Sequence, residues 1–264
     1  PPWEARMDYD TITLDIEAGL AVLTLNRPKK MNALNTQMRA ELADAVRHAG
    51  HAARVVVLTG AGRAFCSGQD LGDRANAESV DLERTLRDEY EPLLRAIVDC
   101  PVPVIAAVNG AAAGAGANIA LAADGVIAAH SAYFLQAVSR IGLIPDAGGT
   151  YILPRAMGLP NANGAALFAE KITAEQADDR GMNREAVPDM GFEEHWRARA
   201  RHLADGPTLS YQGIKAAMRA SLANTFEQQI ALEASTQGKC GRSRDFKEGV
   251  LAFLEKRAPN FEGR

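Results

Sequence analysis

The sequence predicts an α/β fold, on three observations. Strand-like and helix-like hydrophobic patterns alternate from about residue 9 to residue 131, the strands after the first pair are short continuous apolar runs, and no fixed-period repeat or low-complexity tract interrupts them. With 264 residues of which 47% are hydrophobic, the chain can bury a sizeable core without staples.

The chain opens on a strand pair. TITLDIEAGLAVLTLN alternates apolar and polar residues on both sides of Ala18-Gly19, which predicts a β-hairpin from about Tyr9 to Asn26. From Asn35 the period changes: Met38, Leu42 and Val46 recur at helical spacing, with Asn35 or Thr36 as the cap. RVVVLTG at 54–60 reads as a buried strand, followed by a loop AGRAFCSGQDL and a charged helix from about Ser79 to Asp99. PVIAAVNG at 103–110 is the next strand, AAAGAGAN the way into a helix, and GVIAAHS at 125–131 another strand. After Thr150 the strand signals stop. LPRAMG, ITAEQADDRGM, HWRARARHLAD, SYQGIKAAMRASL, EQQIALEASTQG and FKEGVLAFLEKR are helical in character, and these short amphipathic helices need another surface to bury against. The expected organisation is a core over 8–205 and a dependent helical region over 206–264.

Composition excludes several classes. The 33 acidic and 29 basic residues give a net charge of −4 and no basic block to track phosphates, so nucleic acid is not expected as a partner. Cys66, Cys100 and Cys240 are widely spaced and odd in number, which suits free thiols in a reducing compartment. No apolar run approaches the roughly 18 residues of a span, and PPWEARMDYD lacks the plan of a signal peptide, so the expected location is the cytoplasm, away from membranes. There is no GxSxG and no GxxxxGK[ST]. His48 and His51 share a helix face without an evident third ligand, so no metal is expected.

Three stretches carry chemistry. In AFCSGQD at 64–70, Gly68 permits a sharp bend that leaves the amide of Gln69 free to face a ligand, although such a turn alone reads first as an ordinary βα loop. NGAAAGAGANIALAAD at 109–124 leads into a helix whose first amides lack partners, which suits an anion or developing oxyanion; close packing by small residues explains it equally well. Gly114 and Gly116 are followed by Ile119, so this is not a dinucleotide fingerprint. In IGLIPDAGGT at 141–150 the single carboxylate is Asp146, set among apolar residues and before two glycines; read alone, it is a good helix N-cap.

Taken together, NRPKKMNAL at 26–34, GRAFCSGQDL at 62–71, the 109–124 block and SRIGLIPDAGGTYILPR at 139–155 closely resemble the crotonase (enoyl-CoA hydratase/isomerase) superfamily. The resemblance runs from Asp8 to Arg264. It implies a ββα spiral core with a helical trimerisation region at the carboxyl end, assembled as trimers or hexamers. It also implies an acyl-CoA thioester substrate whose carbonyl lies between the backbone amides of Gln69 and Ala115. CoA is then expected along Lys29, Lys30 and Met31 and against Ser67, Gly68, Asp70 and Leu71, with Gly114, Asn118 and Val138 near the acyl group.

Hydratases of this superfamily use two glutamates, and the matching positions here are Asn118 and Val138, neither of which transfers a proton. Asp146 matches a carboxylate of the isomerase branches. In that setting catalysis is favoured over capping, and apolar flanks would raise its pKa toward neutrality. The implied activity is isomerisation of CoA thioesters, a ring epoxide of phenylacetyl-CoA going to the oxepin or a β,γ double bond moving to α,β, with no cofactor beyond the CoA of the substrate. A plain 3-enoyl-CoA isomerase and a non-catalytic CoA- or RNA-associated protein are the alternatives. Arg180 and Asn183 in DDRGMNREAV, and the polar NANGAAL at 161–167, depart from the superfamily's usual aromatic and apolar character.

Overall fold

The computed structural model describes residues 8–74 and 81–264. The first two strands, β1 (Ile12–Glu17) and β2 (Leu20–Leu25), pair antiparallel from Ile12↔Leu25 to Glu17↔Leu20. Ala18 and Gly19 both take positive φ, 47° and 79°, the two-residue turn whose twist matches that of a hairpin. Helix α1 (Thr36–Ala52) begins where expected, with the Asn35 side chain accepting from the Met38 N–H.

Beyond α1 the chain winds as a spiral of two strands and a helical segment per turn. β3 (Val55–Gly60) joins a large sheet and β4 (Ala64–Cys66) a small one, and then come α2 (Leu82–Thr85), a π-turn over Leu86–Tyr90 and α3 (Glu91–Val98). β5 (Val104–Val108), β6 (Ala111–Ala113) and α4 (Ala115–Leu121) repeat the plan, as do β7 (Gly125–Ala129) and β8 (Tyr133–Leu135), which lead to α5 (Gly149–Met157) and α6 (Leu159–Phe168). The large sheet runs β1-β2-β3-β5-β7-β10 and the small one β4-β6-β8-β9, where β9 is Lys171–Thr173 and β10 is Glu185–Val187. Between β9 and β10 lies α7 (Ala174–Asp179). β2, β3 and β5 are buried almost residue by residue, as parallel strands covered on both faces must be.

Five short strands depart from the pattern expected of the sequence. Ala64–Cys66 is strand β4 inside the expected loop AGRAFCSGQDL, Ala111–Ala113 is strand β6, β8 falls in a stretch given no element, and β9 and β10 lie beyond Thr150, where the strand signals end. Each is three residues long, too short to show a period, and exists because a neighbouring strand supplies its hydrogen bonds. The start of the charged helix expected at Ser79 lies outside the described residues; Asp81 caps α2 through its side chain.

The remaining helices are α8 (Phe192–Ala204), α9 (Thr208–Ala220), α10 (Phe226–Cys240) and α11 (Arg244–Glu255). α9 is tied to the core by Asp124, which pairs with Lys215 and Arg219 at 2.8 Å each. Asp245, at the start of α11, is buried and accepts the Glu262 and Gly263 N–H groups at 2.7 and 2.9 Å, fastening the final residues. Otherwise α9–α11 bury little: Met218, Phe226, Phe253 and Leu254 are each at least 70% exposed. Among the described residues no helix is long and apolar enough to cross a membrane.

Candidate active site

The first wall of the site is the turn after β4. Leu34 and Gln69 form an isolated parallel bridge in which the Leu34 N–H bonds Gly68 O at 2.8 Å and the Asp70 N–H bonds Leu34 O at 3.0 Å. Parallel pairing draws on the residues either side of Gln69, so the Gln69 N–H itself points away from Leu34. Gly68 has φ 92°, and a Cβ there would sit 2.7 Å from Ala113 O, so only glycine brings this turn so close to β6.

The second wall is the start of α4. Gly114, at φ 50°, is its N-cap, and Ala115 is its first residue, whose N–H has no acceptor within the helix. At Gly116 a Cβ would lie 2.4 Å from Cys66 O, which shows how tightly this helix presses on β4. The two turns thus face one cavity of about 230 Å³, lined by Ser67, Gly68, Gln69, Gly114, Ala115, Val138 and Asp146 among others.

Asp146 arrives on a turn closed by the Gly149 N–H on its own carbonyl at 2.8 Å, with Ala147 and Gly148 at φ 47° and 82°. Helix α5 takes Gly148 as its N-cap, two residues past Asp146, so Asp146 does not occupy the cap position that the stretch read alone would give it. The half-buried Asp146 also borders a second, larger cavity of about 620 Å³, and Tyr90 and Leu86 line both spaces.

Residues 15–264 match the family model described as enoyl-CoA hydratase/isomerase. The chain belongs to that family. Enoyl-CoA hydratase/isomerase family members act on acyl-CoA thioesters. A relative from Rhodobacter capsulatus, named a probable enoyl-CoA hydratase, is 63% identical over 98% of this chain and 100% of its own. The 1,2-epoxyphenylacetyl-CoA isomerase of Escherichia coli is 46% identical over 94% of this chain and 97% of its own. Among solved structures, a Streptomyces coelicolor A3(2) protein named provisionally as an enoyl-CoA hydratase superposes with a TM-score of 0.92 at 38% identity, over 98% and 96% of the two chains.

The other residues expected at an enoyl-CoA hydratase/isomerase site are distributed unevenly. Leu71 lines the 230 Å³ cavity beside Ser67 and Val138. Lys29 and Lys30 lie exposed on a 3₁₀ turn, Pro28–Lys30, that is joined to the first wall by the Ser67 N–H on Met31 O at 3.0 Å; they do not line the cavity. Asp70 turns away to pair with Arg27 at 2.8 Å. Burial would raise its pKa, but hydrogen bonds from Arg27 and the Gly72 N–H, with the Arg27 and Lys30 charges, bring it below the usual carboxylate value.

Asn118 is fully buried and outside the cavity lining: its Nδ2 donates to the Asp146 carbonyl at 2.8 Å and its Oδ1 accepts from Gln136 Nε2 at 2.8 Å. Asn118 therefore holds the Asp146 turn. Asn183 is likewise an internal tie, donating to Ala174 O and Glu185 O at 3.2 and 3.1 Å, and Arg180 ends α7; neither lines the cavity.

Sequence reasoning missed Tyr90, Arg39 and Gln136. Arg39 lies 3% exposed on α1, one position from Met38, where the helical period marked no functional residue. Tyr90 ends a π-turn, a rare local widening that no composition signals.

Proposed function

We propose that this protein isomerises CoA thioesters by a proton shuttle through Asp146. The observation carrying the reading is that Asp146 and the Gln69 and Ala115 turns border one cavity, in which Asp146 is the only carboxylate among the described lining residues. The thioester carbonyl would accept from the Gln69 and Ala115 amides, so that negative charge arriving on its oxygen is stabilised by fixed dipoles. Asp146 would take a proton from C2 and return it to a carbon further along the conjugated system. One carboxylate suffices, the composition of the substrate is unchanged, and a redox-neutral proton shift calls for no cofactor. With a ring epoxide of phenylacetyl-CoA the same transfer accompanies expansion to the oxepin; with a 3-enoyl-CoA it moves the double bond to C2–C3.

Hydration would need one group to activate water and another to handle the proton at C2. Asn118 is committed to the Asp146 carbonyl and Val138 is apolar, which supports isomerase over hydratase even though the Rhodobacter relative carries a hydratase name. Purified protein should therefore convert epoxyphenylacetyl-CoA or a 3-enoyl-CoA while leaving crotonyl-CoA at the background rate. Hydration of crotonyl-CoA at rates matching isomerisation would overturn the assignment.

The proposed setting is the cytoplasm, and the proposed assembly a trimer or a pair of trimers. The exposed apolar residues of α9–α11 support a covered face, and sedimentation at micromolar concentration should show a multiple of three. A stable monomer would count against it.

A further inference from the structure

The Gln69 amide can serve a thioester carbonyl only if its peptide plane stays put. The Leu34 N–H on Gly68 O at 2.8 Å holds that plane by its carbonyl edge and the Asp70 N–H on Leu34 O at 3.0 Å holds the next peptide, while Gly68 before it is conformationally permissive. The side chain is held as well. Gln69 Oε1 accepts from the Tyr90 hydroxyl at 2.5 Å and from Arg39 Nη1 at 3.0 Å.

Both donors are themselves held by further contacts. Arg39 Nη1 also donates to Leu34 O at 2.7 Å, the residue bridged to Gln69; its Nη2 reaches Thr36 Oγ1 at 3.1 Å and its Nε the Glu89 carboxylate at 2.8 Å. Its guanidinium lies over the Tyr90 ring, 5.0 Å from the centroid. Tyr90 is 2% exposed, and burial pushes its phenol well above the ordinary value, so the hydroxyl stays a donor across working pH.

We infer that Tyr90 and Arg39 are positioning residues for the reaction: by clasping the Gln69 side chain they hold its backbone N–H on the thioester carbonyl. Side-chain anchoring of a backbone donor is what a preorganised site requires, since a donor free to turn loses most of its worth to the developing charge. The inference rests on the proposed oxyanion role of the Gln69 amide, and the test separates the two.

The probe is cinnamoyl-CoA carrying ¹³C at the thioester carbonyl, whose infrared stretch falls when that oxygen accepts hydrogen bonds. The unsubstituted protein should lower the stretch on binding; no lowering would overturn the oxyanion reading and this inference with it. Tyr90→Phe keeps the ring and removes the hydroxyl. It should lose at least about half of the lowering and drop kcat roughly tenfold with KM nearly unchanged, the pattern of an interaction made mainly in the transition state.

Gln69→Ala keeps the backbone amide but not the clasp, and should show the same loss. Adding Tyr90→Phe to it should change kcat by less than about twofold, because both substitutions break one connection. A full carbonyl shift and wild-type kcat in either single variant, while the unsubstituted protein shows the shift, would overturn the clasp and leave the oxyanion reading standing.

Discussion

Two contributions to the lining of the 230 Å³ cavity are built differently. One is the pair of backbone groups at Gln69 and Ala115, set by turns so close that a methyl at Gly68 or Gly116 would lie 2.7 or 2.4 Å from a carbonyl oxygen of the facing segment. The other contribution to the lining is one side chain, Asp146, on a half-buried turn preceded by Ile144, which is 73% exposed. A backbone donor cannot be aimed by choosing a residue type; its direction comes from packing of the whole turn. A carboxylate needs only to be delivered, here by the Asn118 contact to the Asp146 carbonyl.

The largest effect is expected from the side-chain contribution. Asp146→Asn keeps the size of the group but cannot accept the proton, so isomerase turnover should fall by roughly two to four orders of magnitude. Because asparagine keeps the carbonyl oxygen and the size of the side chain, the fold should survive and the melting temperature should barely move. Rate and melting temperature measured on the same preparation decide it, and more than about a tenth of the wild-type rate remaining would remove Asp146 from the mechanism.

For the backbone contribution, stability and activity should fall together. Gly116→Ala forces α4 away from Cys66 and should cost about 1–3 kcal/mol, as overpacking does, while carrying the Ala115 N–H out of line. Denaturant unfolding with a parallel rate measurement tests this, and a stable Gly116→Ala protein lacking only activity would show the two contributions to be less distinct than described.

The smallest effect concerns Asp70, beside the first turn. Its folded pKa lies below the ordinary value of about 3.9, so the stability it contributes is fully present above that pH and is lost as pH falls through the folded value. The gap in melting temperature between the wild type and Asp70→Asn should accordingly be constant near neutrality and shrink below about pH 4. A gap that widened on acidification would contradict the Arg27 pairing as its source.

Much of the fold was readable locally. The hairpin announced itself by alternation around Ala18-Gly19, α1 by its period and Asn35 cap, and β3, β5 and β7 by apolar runs, because each is stabilised largely by its own residues' preferences and burial. The three-residue strands β4, β6, β8, β9 and β10 were not readable, since their hydrogen bonds come from partners distant in sequence. The small sheet, to which β6, β8 and β9 belong, is also what sets β4 beside β6 and so brings the Gly68 and Gly114 turns together.

The candidate site divides the same way. Residue identities alone establish which groups are on offer: two glycine-bearing turns, a lone carboxylate at Asp146, and an amide and an alkyl group at positions 118 and 138 in place of acids. How those groups are used emerged from packing between distant segments, which turns Asn118 onto the Asp146 carbonyl, draws Asp70 off to Arg27, and closes Arg39 and Tyr90 on Gln69 across 30 and 21 residues of chain. The reason is that hydrogen-bond direction and burial depend on what a distant segment places opposite a group, and neither is encoded in the few residues around it.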